Sequence, residues 1–302
     1  MDKIKIAVIG ASSMVGSRFV KLSQNNFELI KTDLHGENQI DIRDKNSVDN
    51  FFKNHNFDWV ILLSAYTDVD GAEKQRGDKT GICWKVNVQG VKNVVDACKK
   101  YGRKLIFIST DFVFEGTHGP YSEDTPAGQN PKKISWYGLT KVEGENIILS
   151  NLKDAIILRI AYPYRGKFEE KDDIAKRFLK LYRDKKMYPV FTDQIITPTF
   201  IDDLAPAIKL LIEKESKGTF HLASPLPTTQ FDFARKVIET FGGDPDSVPK
   251  GSIVEFLKRP GVTPRPIKGG LKVEKIESLG FTPTNWDRGI EIIHQQSKGQ
   301  LI

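Results

Sequence analysis

The run SWYGLTK, residues 135–141, sets a tyrosine and a lysine four positions apart, Tyr137 and Lys141. On a helix that spacing puts both side chains on one face. A phenol beside an ammonium is a pair suited to moving protons. The ordinary phenol pKa of ~10 makes a poor donor at neutral pH, and bringing it to ~7 takes about 4 kcal/mol of preferential phenolate stabilisation. An ammonium roughly 4 Å away, at an effective dielectric of ~20, supplies about that much. The pair therefore predicts a general acid, Tyr137, whose pKa Lys141 lowers. Because Tyr-x-x-x-Lys also arises by chance, the chemistry needs a third group. Thr110 ends the apolar run KLIFIST (104–110), and its hydroxyl can hold the carbonyl oxygen that receives the proton.

Regular elements must bring these groups together. Short apolar, β-rich runs (KIAVIG, FELIKTDL, DWVILLSA, KLIFIST and AIILRIA) alternate with the amphipathic stretches SMVGSRFVKLSQ, KNSVDNFFKNH and GVKNVVDACKKYG. In the last of these, Val91, Val94, Val95 and Cys98 fall at helical spacing and Gly102 closes the pattern. Strands that are apolar throughout and separated by helices predict the α/β class, with a Rossmann-type doubly wound parallel sheet covered on both faces. Thr110 then lies at the carboxyl edge of the sheet, where open α/β folds bind ligands. After about residue 162 the pattern loosens into helices near 171–184, 202–214 and 229–241, and 243–270, with five prolines, reads as loop. The expected organisation is a dinucleotide-binding domain over 1–162, to which the chain returns near 193–215. A smaller C-terminal α/β lobe within 163–302 would bind substrate.

VIGASSMVG (8–16) places Gly10 directly after the first strand and Gly16 inside the following helix. In a dinucleotide fold the first glycine makes the tight turn and the last allows close helix–strand packing. The pyrophosphate then rests on the helix N-terminus. Ser13 fills the middle slot, where glycine is common, and its hydroxyl can donate to phosphate. Asp33 follows the second strand, where a carboxylate accepts from the adenosine ribose hydroxyls and repels a 2′-phosphate. The expected cofactor is NAD(H) in preference to NADP(H), with His35 near enough to soften that preference.

The net charge of +6 is spread over lysines that occur in pairs, such as Lys99–Lys100, Lys132–Lys133 and Lys185–Lys186. That is a solvated surface, and no nucleic-acid partner is expected. Cys83 and Cys98, the two cysteines, have neither the number nor the spacing of a zinc site or a disulfide framework, and no metal is expected. No apolar run approaches the roughly 20 residues of a membrane span. The N-terminal MDKIKIAVIGA runs straight into a strand without the layout of a leader. A cytoplasmic protein with no membrane partner is therefore expected; the sequence admits a homodimer without requiring one.

At this level the chain resembles the extended branch of the short-chain dehydrogenase/reductases, and within it the dTDP-4-dehydrorhamnose reductases. The similarity runs almost end to end, through VIGASSMVG, SAYTDVDGAE, VNVQGVKNVVDAC, ISTDFVFEGTHGPYSEDTP, YGLTKVEGE, DQIITPTFIDDLA, FHLASP and RPIKGGLKVEKIESLGF. It implies Thr110, Tyr137 and Lys141 as the catalytic group, with Tyr137 and Lys141 also contacting the cofactor and Lys141 holding the nicotinamide ribose. It implies cofactor contacts from Gly10, Ser12, Ser13, Met14, Val15 and Asp33. Asp41 and Ile42 would lie by the adenine, Ser64, Ala65 and Tyr66 along the cofactor, and Asn87 beneath the catalytic residues. Thr110, Asp111 and Tyr162 would face the substrate, a nucleotide-activated 6-deoxy sugar whose C4 ketone is reduced. Arg265 and Lys268 lie in a loop able to reach its pyrophosphate.

The departures from the family pattern fall on the substrate side. PKKISWY carries Ser135 where an asparagine is usual, and Tyr162 in IAYPYR takes the slot of a tryptophan. A sugar 4,6-dehydratase would carry an acid where Phe112 stands. An epimerase of the same superfamily uses the same catalytic groups but retains its cofactor. The non-catalytic regulatory subunit of methionine adenosyltransferase resembles these reductases too, and LRIAYPYRG is compatible with either.

Overall fold

The computed structural model describes residues 3–301. Met1, Asp2 and Ile302 lie outside the described residues, and with them the first two positions of the N-terminal stretch read above. Six strands form one parallel sheet: β1 (Lys5–Ile9), β2 (Glu28–Thr32), β3 (Trp59–Leu62), β4 (Lys104–Thr110), β5 (Ile156–Ile160) and β6 (Gly218–Leu222). Their order is β2-β1-β3-β4-β5-β6. The chain winds one way from β1 to β2 and the other way from β3 onward, so a crevice opens at the carboxyl ends beside β1 and β3.

The apolar strands are explained by burial on both faces. Ile6 and Val8 of β1 join Phe19 of helix α1 (Met14–Ser23) in one core layer. Ala7 and Ile9 join Val48, Phe51 and Phe52 of α2 (Lys45–Asn54), with Val94 and Val95 of α3 (Val91–Tyr101), in the other. Gly102 ends α3 in the left-handed conformation. Helix α4 (Trp136–Asn151) precedes β5. A separate core gathers Phe178 and Leu179 of α5 (Ile174–Arg183). After α5 comes α6 (Leu204–Glu213), whose Leu204, Ile208 and Leu211 return to the layer of Ile6 and Val8. Phe233 and Val237 of α7 (Gln230–Thr240) and Ile290 and Ile293 of α8 (Trp286–Gln296) complete the separate core.

Five of the six strands follow the runs read from sequence. β6 does not: GTFHL opens on Gly218 and alternates too briefly to stand out. The proline-rich 243–270 segment also holds a short helix, Ile253–Leu257, and a two-residue pairing of Lys250–Gly251 with Val190–Phe191. A π-helical turn, Lys85–Gly90, precedes α3.

Candidate active site

The carboxyl ends of β1 to β5 open into one cleft of about 1070 Å³. At its β1 end Gly10 adopts φ +92, and a Cβ there would come within 2.9 Å of the Ser64 amide nitrogen. Gly16 presses on the same turn, where a Cβ would stand 2.1 Å from the Gly10 carbonyl oxygen. Ser13 caps α1: its Oγ accepts from the Gly16 amide at 3.0 Å and donates to the Gly10 carbonyl at 2.7 Å. The hydroxyl expected to meet phosphate is thus used to build the turn. The groups left facing outward are the amides of Met14 and Val15, the first residues of α1, which have no intrahelical acceptor.

Asp33 lies just past β2, and its Oδ2 accepts from the Ser12 amide at 2.7 Å, joining carboxylate and turn into one rim. Asp41 and Ile42 line the same end. Arg43 chelates Asp41, Nε to Oδ1 at 2.9 Å and Nη2 to Oδ2 at 2.6 Å. Those bonds hold the Asp41 carboxyl below the usual range. Ser64, Ala65 and Tyr66 follow β3 along the cleft. Asn87 stands behind this wall. It is buried, accepts from the Tyr66 amide at 2.8 Å, and donates to the Tyr66 carbonyl and to Thr140 Oγ1, each at 3.0 Å. Thr140 in turn donates to the Tyr137 carbonyl at 2.7 Å. Asn87 therefore ties the wall of the cleft to the helix that carries Tyr137.

Thr110, Tyr137 and Lys141 line the cleft together. Ser135 caps α4, its Oγ accepting from the Gly138 amide at 3.2 Å, which sets Tyr137 in the first turn. The Tyr137 phenol is pushed up, not down: burial acts first, the Thr110 hydroxyl draws it back, and Asp111 and Cys83 add to the rise. The net shift is therefore opposite to the fall expected from the Tyr137–Lys141 spacing. The Lys141 amine, 2 % exposed, donates to the Ile108 carbonyl at 2.9 Å and lies 3.8 Å from the Phe107 ring centroid. Burial brings its pKa down to about 7, against the upward pull of Glu145 and Cys83. A phenol that stays protonated is still the form a proton donor needs.

Next to Thr110, Asp111 is buried and accepts from the Thr110 hydroxyl at 3.3 Å through Oδ1, while its Oδ2 has no partner. Burial pushes its carboxyl up to about 7. Tyr162 also lines the cleft. Its φ of +41 is a left-handed conformation that costs a bulky residue on the order of 1 kcal/mol. Gln194 Nε2 donates to its hydroxyl at 3.2 Å. Arg265 is not among the lining residues. Its Nη2 donates to both oxygens of Asp70, at 2.9 and 2.8 Å, and Thr263 adds a bond of 2.6 Å to the same carboxylate. Asp193, Thr197 and Thr199 serve the chain itself: Asp193 accepts from the Ile253 amide at 2.7 Å, Thr197 from Leu271 at 2.8 Å and Thr199 from Ala161 at 2.9 Å.

Phe168, Lys171, Arg177, Tyr188 and Gln230 line the cleft as well. They come from scattered segments with no common spacing, so no sequence signal marks them. Glu145 also went unread, although a second charge one turn beyond Lys141 was a usable signal. Among the described residues, no three His, Cys, Asp or Glu side chains gather as for a metal, and no helix is long and apolar enough to cross a membrane.

With this geometry in place, residues 4–298 match the family model described as the RmlD substrate binding domain. The chain belongs to that family. This RmlD-family chain is 31 % identical over 281 residues to the probable low-salt glycan biosynthesis reductase Agl14 of Haloferax volcanii, covering 89 % of this chain and 90 % of that one. It is 31 % identical over 294 residues to the dTDP-4-dehydrorhamnose reductase of Mycolicibacterium smegmatis, covering 95 % and 84 %. Among solved structures, the dTDP-4-dehydrorhamnose reductase of Bacillus anthracis in complex with NADP superposes with a TM-score of 0.86 at 26 % identity, covering 97 % and 99 %. The turn of this RmlD-family chain fits such a group on its own evidence. A Cβ at Gly10 or Gly16 would collide with backbone, and the helix end beyond them is free to face a pyrophosphate.

Proposed function

We propose that this chain is a nicotinamide-dinucleotide-dependent oxidoreductase that reduces the C4 ketone of a nucleotide-activated 6-deoxy sugar, as a dTDP-4-dehydrorhamnose reductase does. One observation carries the reading: Thr110, Tyr137 and Lys141 line the same cleft as the Gly10 turn and Asp33, in a chain whose relatives are reductases. When bound, the dihydronicotinamide supplies the hydride that C4 accepts. Thr110 holds the ketone oxygen through its hydroxyl, and Tyr137 delivers the phenolic proton to that oxygen, giving the C4 alcohol. Burial keeps the phenol protonated until then. Lys141, when charged, stabilises the phenolate left behind.

NADH is the favoured cofactor. Asp33 puts a carboxylate on the adenosine rim, and the guanidinium of Arg43 is already chelated by Asp41, which leaves little positive charge for a 2′-phosphate. Asp111 and Tyr162 face the sugar. Arg265 takes the pyrophosphate by exchanging Asp70 for it, since both offer a paired-oxygen anion to one guanidinium.

The test mixes purified protein, NADH and a dTDP-4-keto-6-deoxy sugar and follows the reduced nicotinamide absorbance. One NADH consumed per sugar is the expected result. Interconversion of sugars without net NADH loss would replace the reductase by an epimerase. Tight cofactor binding without turnover, together with capture of a protein partner, would replace it by a regulatory subunit.

A further inference from the structure

Three neighbouring strands each offer a polar residue at one level. Ser109 of β4 pairs in register with Arg159 of β5, and Arg159 with His221 of β6. Glu145, from α4, meets this row. Ser109 Oγ donates to Glu145 Oε1 at 2.5 Å, while Arg159 donates through Nε to Oε1 at 2.9 Å and through Nη2 to Oε2 at 2.6 Å. Glu145 is 2 % exposed and Arg159 4 %. His221 is held neutral, its pKa brought down to about 3 by burial and by Arg159. In that state Nδ1 donates to the Lys272 carbonyl at 3.0 Å and Nε2 accepts from Arg159 Nη1 at 3.3 Å.

A buried ion pair is a poor stabiliser beside well-packed apolar residues of the same volume. Stability alone therefore gives no reason for Glu145 and Arg159. Their placement gives another. Lys141 stands one turn before Glu145 on α4, and the two are anchored on consecutive residues of β4. Lys141 Nζ donates to the Ile108 carbonyl at 2.9 Å, and Ser109 Oγ donates to Glu145. The strand that ends in Thr110 thus grips the helix that carries Tyr137 at two points, which fixes both its rotation and its slide. The charged and titratable neighbours of the amine are Glu145 on its own helix and Cys83 from the short Ile82–Trp84 helix, with Arg159 on β5 behind the carboxylate. Tyr137 stands one turn before it on α4, and Asp111 acts on that phenol.

We propose that Glu145 is the positioning residue of the catalytic pair: locked by Ser109 and Arg159, it holds Lys141 in the cleft and favours the charged form of its amine. This rests on the reductase reading above. Even with Glu145 present, burial leaves the amine near its midpoint at neutral pH. Without a carboxylate in that low-dielectric setting, the neutral form wins.

Glu145→Gln removes the charge and keeps the shape. Because it strands a buried guanidinium, Glu145→Gln with Arg159→Met is made beside it. Ligand-free wild type and both variants, with nitrogen-15 lysine, are titrated by NMR, and the Lys141 signal is identified by its loss in Lys141→Met. The pH dependence of kcat/KM is followed in parallel. In each folded variant the Lys141 amine is expected to titrate at least about one pH unit lower. The alkaline fall of kcat/KM should move the same way, about tenfold in rate near pH 8. An unmoved titration in a cooperatively melting double variant would overturn the proposal. So would the absence of a cooperative melt in both variants, since the pair would then be a folding element. The NMR titration needs no substrate, so a wild type without turnover sinks the reductase reading alone.

Discussion

The sheet-side wall of the cleft and the wall from the smaller lobe enclose the same space by different means. The sheet side is backbone first: Gly10, Gly16 and the head of α1 shape it, and Asp33 closes it through the Ser12 amide. The other side is side chains first: Tyr162, just past β5, is in a left-handed conformation with Gln194 behind it, and Arg265, set back from the lining, is turned to Asp70 across 195 residues of sequence. A wall made of backbone tolerates little and serves one ligand class. A wall made of side chains on loops can be rewritten residue by residue. The first should therefore fail sharply when altered, and the second by degrees.

The sharpest test is Gly16→Val. With a Cβ 2.1 Å from the Gly10 carbonyl, α1 must move off the turn, at about 3 kcal/mol. Calorimetry should show NADH binding weakened more than about a hundredfold along with a lower melting temperature; a small change would break the contrast. Asp33→Asn should raise the Kd for NADH about tenfold, the worth of one charged hydrogen bond, and move the NADH/NADPH ratio toward NADPH. On the other side, Arg265→Ala should raise KM for the sugar nucleotide about fivefold, as loss of a partly solvated cation does, with the Kd for NADH unchanged. An effect as large as that of Gly16→Val would mean the lobe wall is no more forgiving than the sheet wall.

A separate effect concerns pH. Burial raises Asp111 to about 7 and Asp173 and Asp203 to about 6. Their folded values exceed those of an unfolded chain, so the unfolded state ionises first as pH rises. The stability they contribute is complete below the ordinary carboxylate range and is lost as pH climbs through about 6 to 7. Asp111→Asn should flatten the upper part of that fall, as read from melting temperature against pH.

The same contrast explains what was legible in the sequence. Gly10, Asp33, Thr110, Tyr137 and Lys141 are each tied to a strand end or a helix phase, and periodicity fixes those. β6 escaped because its run is short and opens on Gly218. The direction of the Tyr137 shift escaped because burial belongs to the whole fold, while spacing reported only that Lys141 shares its face. Phe168, Arg177 and Gln230 escaped because packing of the lobe, not local pattern, turns them to the cleft.

If Tyr137 is the proton donor, the Gly10 turn and Asp33 should hold the cofactor without it. The direct measurement is Tyr137→Phe beside wild type, with NADH affinity by calorimetry and NADH consumption with the keto-sugar nucleotide. A Kd within about twofold of wild type and a kcat lower by about a thousandfold are expected. Turnover within about tenfold of wild type would remove Tyr137 from the chemistry and contradict the account.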